Sequence, residues 1–194
     1  MADRIYLVRH GETDWSASGK HTGTSNIPLN SVGERQAERL GPILARTAFA
    51  RVLSSPLDRA RRTAELAGFG AVDTSPLLCE VDYGDDDGRT RDQIRAERPG
   101  WDFFGDGPKN GETLEAAADR ARAVLGELRP LAGNALLFAH GHILRILASV
   151  YLGAIPQFGR HLVLRPASVS VLAREHEWPT IEVWDRIAES SERG

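Results

Sequence analysis

The sequence alternates short apolar runs with longer segments of helical periodicity. Four runs, Ile5–Val8, Arg51–Ser54, Leu77–Val81 and Ala135–Ala139, have the length and apolar character of β-strands. The run Ala135–Ala139 is apolar at every position, which is typical of a strand buried on both faces of a sheet. The pattern therefore predicts a sheet with a fully covered central strand.

Helices are predicted between these runs from apolar spacing and capping residues. Ser31, with Glu34 three residues later, forms a capping box for a helix whose apolar stripe is Val32, Leu40, Ile43 and Leu44. Four further helices are predicted: from Pro56 to near Gly68, from the Thr90 and Gln93 capping box to Pro99, from Leu114 to Leu128, and from His142 to Leu152.

Two more runs, Ser168–Ala173 and Thr180–Trp184, predict either a closing hairpin or two further strands of the same sheet. Strands separated by helices indicate an α/β fold, a three-layer α/β/α sandwich with a mostly parallel sheet. At 194 residues, the chain is expected to form a single domain over residues 1–194, with a frayed polar tail at 188–194.

Composition and charge narrow the classes of function. The net charge of −3 argues against nucleic acid as the main partner. Cys79 is the only cysteine, so an internal disulfide and a thiolate metal cluster are excluded. No signal peptide and no membrane-spanning apolar stretch are found, which predicts a cytoplasmic protein without a membrane partner. A homodimer through a sheet edge or the C-terminal hairpin is compatible with this pattern, although no sequence signal indicates it.

The chemically interesting residues follow three of the predicted strands. Arg9-His10-Gly11 follows the first, Ser54-Ser55 and Arg59 follow the second, and His140-Gly141-His142 follows the strand at 135–139. Ligands of open α/β sheets bind beyond the carboxyl ends of the strands. We therefore expect these histidines and arginines to meet in one cleft.

Such a cluster is suited to phosphoryl transfer. Arginine matches phosphate oxygens with its forked donors, and neighbouring cations disfavour a protonated imidazole, which keeps His10 nucleophilic. The leaving oxygen needs a proton, and Glu80 or Asp82 lies close after the predicted strand at 77–81. Glu80 is the preferred general acid, with Asp82 as the alternative.

Five ordered motifs resemble the histidine phosphatase superfamily, whose fold is phosphoglycerate-mutase-like. They are Leu7-Val8-Arg9-His10-Gly11-Glu12-Thr13, His21-Thr22-Gly23, Leu53-Ser54-Ser55-Pro56-Leu57 with Arg59, Glu80 with Tyr83-Gly84 and Gly88, and Gly111-Glu112-Thr113 with Ala139-His140-Gly141-His142. The similarity covers residues 5 to 185. Trp15-Ser16-x-Ser18-Gly19 is similar to a phosphatase branch with sedoheptulose-bisphosphatase-like and broad acid-phosphatase-like members.

The resemblance implies a role for each matched position and no metal or other cofactor. His10 would be phosphorylated, Arg9, Arg59 and His140 would surround the phosphate, and Glu80 would donate the proton. The remaining substrate contacts would come from Ser16, Thr22, Gly23, Tyr83, Gly141 and His142. The substrate would be a small phosphorylated metabolite, such as a sugar phosphate.

Some positions depart from the family pattern or carry open roles. Asp85-Asp86-Asp87 stands where an aromatic residue followed by Glu is frequent, so a solvated loop is predicted and the usual structural contacts of Asp87 are in doubt. Four side chains have two possible interpretations: Arg89, Arg91, Trp101 and Phe103. They are either specificity residues on a lid, or ordinary residues of a helix surface and of the core.

Three rival functions remain open from the sequence. A phosphoglycerate mutase would use the same site, but the mutases it resembles carry a longer basic insertion after the acid residues, where this chain has only Arg89 to Gly111. A zinc enzyme could use His10, His140 and His142 as ligands, although the arginines would repel the cation. A non-catalytic phosphate-sensing module would bind phosphate without turnover.

Overall fold

The computed structural model describes residues 2–70 and 72–188 of the chain. Six strands form one sheet in the order β3-β2-β4-β1-β5-β6. Their bounds are β1 (Ile5–Arg9), β2 (Phe49–Ser54), β3 (Asp73–Thr74), β4 (Asn134–Ala139), β5 (Ser168–Glu175) and β6 (Trp178–Ile187). The pairs β1–β4, β2–β4 and β2–β3 are parallel, whereas β1–β5 and β5–β6 are antiparallel. The predicted α/β fold with a mostly parallel sheet is confirmed.

Helices cover the sheet on both sides. They are α1 (Asp14–Ala17), α2 (Ser31–Glu38), α3 (Gly41–Leu44), α4 (Asp58–Ala64), α5 (Arg91–Glu97), α6 (Phe103–Asp106), α7 (Leu114–Leu128) and α8 (Gly141–Tyr151). A π-turn over Glu65–Phe69 extends α4, and 3-10 turns lie at Pro76–Leu78, Gly84–Asp86 and Pro156–His161. None of the helices in the described ranges has both the length and the apolar character needed to cross a bilayer.

The central strand β4 separates two hydrophobic cores. Leu137 faces the core that includes α7 and α8, whereas its neighbours Leu136 and Phe138 face the core that includes Leu40 and Ala64. Successive side chains of a strand point to opposite faces, so an entirely apolar β4 supplies both cores. The sequence prediction of a doubly covered strand is confirmed, since residues Ala135 to Ala139 are all fully buried.

Several predicted boundaries are corrected by the structure. The first long helix is capped by Asn30, whose side chain accepts from the Gly33 amide, and not by a capping box at Ser31. Its apolar stripe is divided between α2 and α3, and Val32 is exposed. Pro56 lies before α4 and not in its first turn. Asn also accepts amide hydrogen bonds well at an N-cap, and this accounts for the shifted start.

No strand forms at residues 77–81, where the sequence predicted one. Pro76–Leu78 is a 3-10 turn, and the chain then runs irregularly past Glu80. Leu78 and Val81 are nevertheless fully buried. A short apolar run signals burial without specifying a strand, which is why the prediction was wrong.

The C-terminal runs satisfy both predicted alternatives, because β5 and β6 form a hairpin that extends the sheet. The predicted frayed tail at 188–194 falls outside the described residues except for Ala188.

Candidate active site

The parallel strands bring the three predicted motifs to one end of the sheet. Strands β1, β4 and β2 are in register, so the residues after Arg9, Ala139 and Ser54 lie side by side. The His10 amide donates to the Ala139 carbonyl at 3.0 Å, and the Ser55 amide donates to the Phe138 carbonyl at 2.8 Å. The His10 and His140 rings are 5.1 Å apart between centroids.

A cavity of about 220 Å³ opens at this end of the sheet. Eight of the residues that the sequence assigned to the site line it: Arg9, His10, Ser16, Thr22, Glu80, Tyr83, Gly141 and His142. Arg59 and His140 are fully buried directly behind this wall. A cavity of this size suits a small molecule rather than a macromolecular chain.

The loop after β1 is held by close backbone packing. A Cβ on Gly11 would lie 2.4 Å from the Gly33 carbonyl oxygen, and one on Gly33 would lie 2.1 Å from that of Glu12. The Gly11 amide donates to Thr63 Oγ1 at 3.0 Å. Only glycine permits this approach of the loop to α2, and the contact fixes the backbone on which His10 stands.

His10 is held as a neutral imidazole with a defined tautomer. Its Nδ1 lies 2.7 Å from the Gly11 carbonyl oxygen, which can only accept, so Nδ1 carries the proton and Nε2 carries the lone pair. Burial, followed by the charges of Arg59 and Arg9, lowers the pKa of His10 well below its usual value of 6.5. The ring is therefore neutral at neutral pH and has a free lone pair on Nε2, which is the form that a nucleophilic histidine requires.

Arg9 presents an unsatisfied donor beside this imidazole. Its Nη1 donates to the Leu164 carbonyl at 2.5 Å, which anchors the guanidinium. Its Nε is buried and has no hydrogen-bond partner among the described residues. Arg9 lines the cavity, so its positive charge favours an anion there.

Arg59 is tied mainly to protein carbonyls. Its Nη1 donates to the Ser25 carbonyl at 2.8 Å, and its Nη2 donates to those of Thr22 and Gly23 at 3.2 and 2.8 Å. Its Nε donates to His140 Nδ1 at 3.1 Å. A guanidinium has five N–H groups, and these contacts engage four of them. Arg59 chiefly supplies positive charge and holds the neighbouring loop.

His140 has both ring nitrogens engaged. Its Nδ1 accepts from Arg59, so its Nε2 carries the proton and donates to Ser55 Oγ at 2.8 Å. Burial, followed by the charge of Arg59, lowers the pKa of His140 well below 6.5. His140 is therefore a neutral donor rather than an imidazolium.

Glu80, and not Asp82, lines the cavity. Its Oε1 accepts from the amides of Val81 and Ile143 at 3.0 and 2.9 Å, and its Oε2 accepts from the His142 amide at 3.0 Å. Two of these donors belong to the first turn of α8, where free amides favour an anionic group. Asp82 is exposed and accepts from the Gly84 amide at 2.9 Å. The geometry favours Glu80 over Asp82 as the carboxylate next to a leaving group.

The amide of Gly23 does not face the cavity, contrary to its predicted contact with phosphate. It donates to Asp87 Oδ1 at 2.7 Å, and Ser25 Oγ donates to Asp87 Oδ2 at 2.5 Å. Asp87 thus holds this loop despite its short side chain. The Thr22 hydroxyl, which does line the cavity, lies 3.4 Å from the Lys20 carbonyl oxygen.

The solvated loop predicted for the three aspartates is wrong for Asp86. Asp86 is fully buried, contacts the Arg98 guanidinium and accepts from the Lys109 amide at 2.9 Å. Asp85, by contrast, is exposed. A charge run does not reveal which of its members a 3-10 turn will rotate inward.

An aromatic cluster forms another wall of the cavity. His142 Nδ1 is hydrogen-bonded to the Tyr83 hydroxyl, and its ring stacks on Phe103 at 3.9 Å. Burial raises the pKa of Tyr83 and lowers that of His142, so both groups are neutral. Trp101 and Phe103 are buried, whereas Arg91 is exposed and Arg89 pairs with Glu97 at 2.5 Å. These four residues form core and surface rather than a lid.

Four cavity-lining residues were not assigned roles from the sequence: Gly19, Lys20, His21 and Arg145. Arg145 lies three residues after His142 on α8 and therefore on the same helical face, which is a signal the sequence did carry. Lys20 and His21 adjoin the predicted Thr22 in an irregular loop, and only the tertiary structure turns them inward.

The proposed zinc ligands do not converge. Both nitrogens of His140 are engaged by Arg59 and Ser55, and His142 uses Nδ1 for Tyr83. Within residues 2–70 and 72–188, no group of three or more His, Cys, Asp or Glu side chains is arranged to hold a metal ion.

A larger groove of about 890 Å³ lies elsewhere on the surface and contains none of the predicted site residues. Its arginines are already neutralised, Arg61 by Asp58 and Arg62 by Glu34 and Glu65. The smaller cavity at the strand ends is the one that holds the reactive groups.

Known proteins are similar to this chain in sequence and in architecture. The sequence model of the histidine phosphatase superfamily (branch 1) matches residues 5–187. An acid phosphatase of Mycobacterium tuberculosis is 35% identical over 177 residues, which cover 89% of this chain and 87% of that protein. A probable phosphoglycerate mutase, GpmB, of Salmonella choleraesuis is 33% identical over 187 residues, covering 90% of this chain and 87% of the relative.

Among solved structures, the product of the Mycobacterium tuberculosis open reading frame Rv3214 superposes with a TM-score of 0.93 at 30% identity, covering 97% of this chain and 100% of the other. The resemblance inferred from the motifs is confirmed. Since the relatives include a phosphatase and a mutase by name, the choice between the two reactions depends on the site itself.

Proposed function

The chain belongs to the histidine phosphatase superfamily, and from that premise we propose that it hydrolyses phosphomonoesters of small metabolites through a phosphohistidine at His10. The observation that carries the proposal is the state of His10. Its proton lies on Nδ1, its Nε2 is free to attack, and burial beside Arg59 and Arg9 lowers its pKa well below 6.5.

The first step transfers the phosphoryl group to the enzyme. His10 Nε2 attacks phosphorus, the bond to the leaving oxygen breaks, and Glu80 gives that oxygen a proton. Arg9, which lines the cavity, and Arg59, buried behind it, supply positive charge that stabilises the charge developing on the phosphoryl oxygens. His140, whose ring nitrogens bind Arg59 and Ser55, holds Arg59 in place behind the same wall.

The second step returns the enzyme to its starting state. A water molecule attacks phosphorus, Glu80 takes a proton from it, and the bond to His10 Nε2 breaks to release inorganic phosphate. Three amide donors hold the Glu80 carboxylate in one place, so the same group serves both steps. No metal ion is part of this proposal.

Hydrolysis is favoured over mutase activity by the segment between Arg89 and Gly111. This segment is short, and three of its four arginines are engaged within the chain: Arg89 pairs with Glu97, Arg95 donates to the Trp101 carbonyl and Arg98 contacts Asp86. The fourth, Arg91, is exposed and stands alone. The segment adds no free basic pair to retain a bisphosphate while the phosphoenzyme waits for a second acceptor.

The proposal is tested by rapid quench with a ³²P-labelled phosphomonoester in the presence of a strong chelator. We expect an acid-labile, base-stable phosphoryl adduct that maps to His10, and release of inorganic phosphate at the steady-state rate. His161→Gln, at an exposed histidine, serves as the matched control and should retain both signals. Binding of substrate without an adduct or turnover would instead identify a phosphate sensor.

The mutase alternative has its own readout. Isomerisation of phosphoglycerates that depends on a bisphosphate primer, without net phosphate release, would identify a mutase. Activity that disappears with the chelator and returns with zinc would identify a metalloenzyme.

A further inference from the structure

We propose that Arg145 forms a second anion-binding subsite in the active-site cavity, so that the preferred substrates carry an additional anionic group on the leaving alcohol. The inference rests on the proposed phosphatase activity and deepens it by naming the substrate class. The additional group is a carboxylate or a second phosphate, both of which fit a guanidinium.

The cavity carries more positive charge than the transferred phosphoryl group requires. Its lining includes three cationic side chains, Arg9, Lys20 and Arg145, and Glu80 is the single carboxylate among the lining residues. Glu80 is already satisfied by three backbone amides. Arg9 serves the phosphoryl group beside His10, so the charge of Arg145 remains without a counter-ion in the cavity.

Arg145 is anchored without being neutralised. Its Nε donates to the Gly159 carbonyl at 2.9 Å, its Nη2 lies 3.4 Å from the Arg160 carbonyl oxygen, and its guanidinium lies 4.6 Å from the centre of the Phe104 ring. Carbonyl groups and an aromatic face carry no net charge. Burial lowers the pKa of Arg145, as expected for a cation removed from water.

Another partly buried arginine shows how this chain treats a cation that has only a structural role. Arg120 donates through Nε and Nη2 to the two carboxylate oxygens of Glu112, both at 2.7 Å. No ion pair to Arg145 forms within the part of the chain that the structure describes. Fixing a guanidinium in place while leaving its charge unpaired is the arrangement of a ligand site.

The position of Arg145 on α8 places the subsite on the leaving-group side. Glu80, which faces the leaving oxygen, is bound by the amides of His142 and Ile143 in the first turn of α8. Arg145 lies three residues beyond His142, roughly 4.5 Å further along the helix axis. A substituent on the leaving oxygen that follows α8 therefore reaches Arg145 after a few carbon atoms.

The test is a charge series of ω-substituted alkyl phosphates with three-carbon and five-carbon chains. The far end is a carboxylate, a phosphate, a hydroxyl or an ammonium group. For the wild type we expect kcat/KM to be at least about tenfold higher for an anionic end than for the hydroxyl end at one of the two lengths, and lowest for the ammonium end. The advantage should appear mainly in KM.

Arg145→Gln should reduce the ratio of anionic to hydroxyl substrates to near unity, and Arg145→Lys should retain part of it. Arg160→Gln is the matched control, because Arg160 lies nearby but pairs with Asp102 at 2.7 Å. This control should keep the wild-type ratio. Since a ratio within one variant is compared, a general loss of packing around Phe104 does not imitate the effect.

The inference is overturned if Arg145→Gln keeps the wild-type ratio, or if the wild type shows no preference for an anionic end at either length. If Arg145→Gln does not fold, the comparison of Arg145→Lys with the wild type decides. Part of the preference for an anionic end over the hydroxyl and ammonium ends should remain in Arg145→Lys. Complete loss of that preference would contradict a charge-based subsite. Failure of the phosphatase proposal is distinct, because it abolishes turnover and adduct formation with aryl phosphates as well.

Discussion

Two walls of the active-site cavity hold their charged groups in different ways. The strand-end wall is formed by Arg9 and His10 and backed by the buried Arg59 and His140. Strands β1 and β4 and helix α4 place these residues. The acid loop, residues 80–88, has no strand, and its carboxylates are fixed by backbone amides and by arginines of neighbouring segments. The strand-end wall carries reactive groups, whereas most carboxylates of the acid loop hold neighbouring segments in place.

Because of this difference, a substitution on the strand-end wall should mainly affect the reaction rate, and one at an aspartate of the acid loop should mainly affect stability. The unpaired Arg9 Nε and the depressed histidine pKa values on the strand-end wall are costly to the fold, and depressed histidine pKa values are useful to catalysis. In the acid loop, every aspartate from Asp85 to Asp87 contacts a protein donor.

Replacing the nucleophile should produce the largest effect. His10→Ala should lower kcat/KM by about 10⁴-fold or more, because the covalent route is lost. The measurement is steady-state hydrolysis of an aryl phosphate, with folding checked by circular dichroism. Residual activity within tenfold of the wild type would contradict the role of His10 as the nucleophile.

Glu80 belongs to the acid loop but takes part in the proposed reaction, so it is the one carboxylate of that loop whose replacement should lower the rate. Glu80→Gln should slow alkyl phosphate esters by about 10²–10³-fold and aryl esters with good leaving groups considerably less, because only the former need a proton in the transition state. Asp82→Asn is the matched control and should change neither class by more than about twofold, since Asp82 is exposed. A reversal of the two variants would assign the proton to Asp82.

Asp86 should show the stability effect expected of the acid loop. Asp86→Ala should lower the free energy of unfolding by about 2–3 kcal/mol, because Arg98 and the Lys109 amide lose a buried partner while Arg98 remains partly exposed. Asp85→Ala, at the exposed neighbour, should cost less than about 1 kcal/mol. Urea unfolding measures both, and equal values for the two variants would contradict the buried role of Asp86.

The pH dependence of stability should report on the two histidines of the strand-end wall and on His142 of the aromatic cluster. The folded-state pKa values of His10, His140 and His142 are depressed, so the unfolded chain binds these protons first as pH falls. Stability is therefore complete above about pH 6.5 and declines below it, by up to about 1.4 kcal/mol per pH unit for each histidine.

Urea titrations between pH 7.5 and 5.5 measure this slope. Asp86→Ala should retain it, since Asp86 lies outside the strand-end wall. A stability that stays constant over this range in the wild type would be incompatible with neutral, buried histidines.

The strand-end wall could be predicted from the sequence, because its residues follow apolar runs directly. The period-two pattern of a buried strand fixes which face each side chain takes, and parallel pairing brings the carboxyl ends together. Arg9, His10 and His140 therefore lie where the pattern predicts them. The same logic failed at Leu77–Val81, where burial came without a strand partner.

Local sequence thus determined the elements with a strong periodic signal, the chemistry of their ends and the resemblance to a family. Only the tertiary structure decided that Asp86 is buried, that the Gly23 amide binds Asp87, and that Arg145 has no counter-ion in the cavity. Periodicity in the sequence shows which face of a helix or strand is apolar, because the residues that point to the core recur with the period of that element. The partner of a polar group in a loop is chosen by distant segments, since a hydrogen bond or ion pair depends on where both chains lie in space.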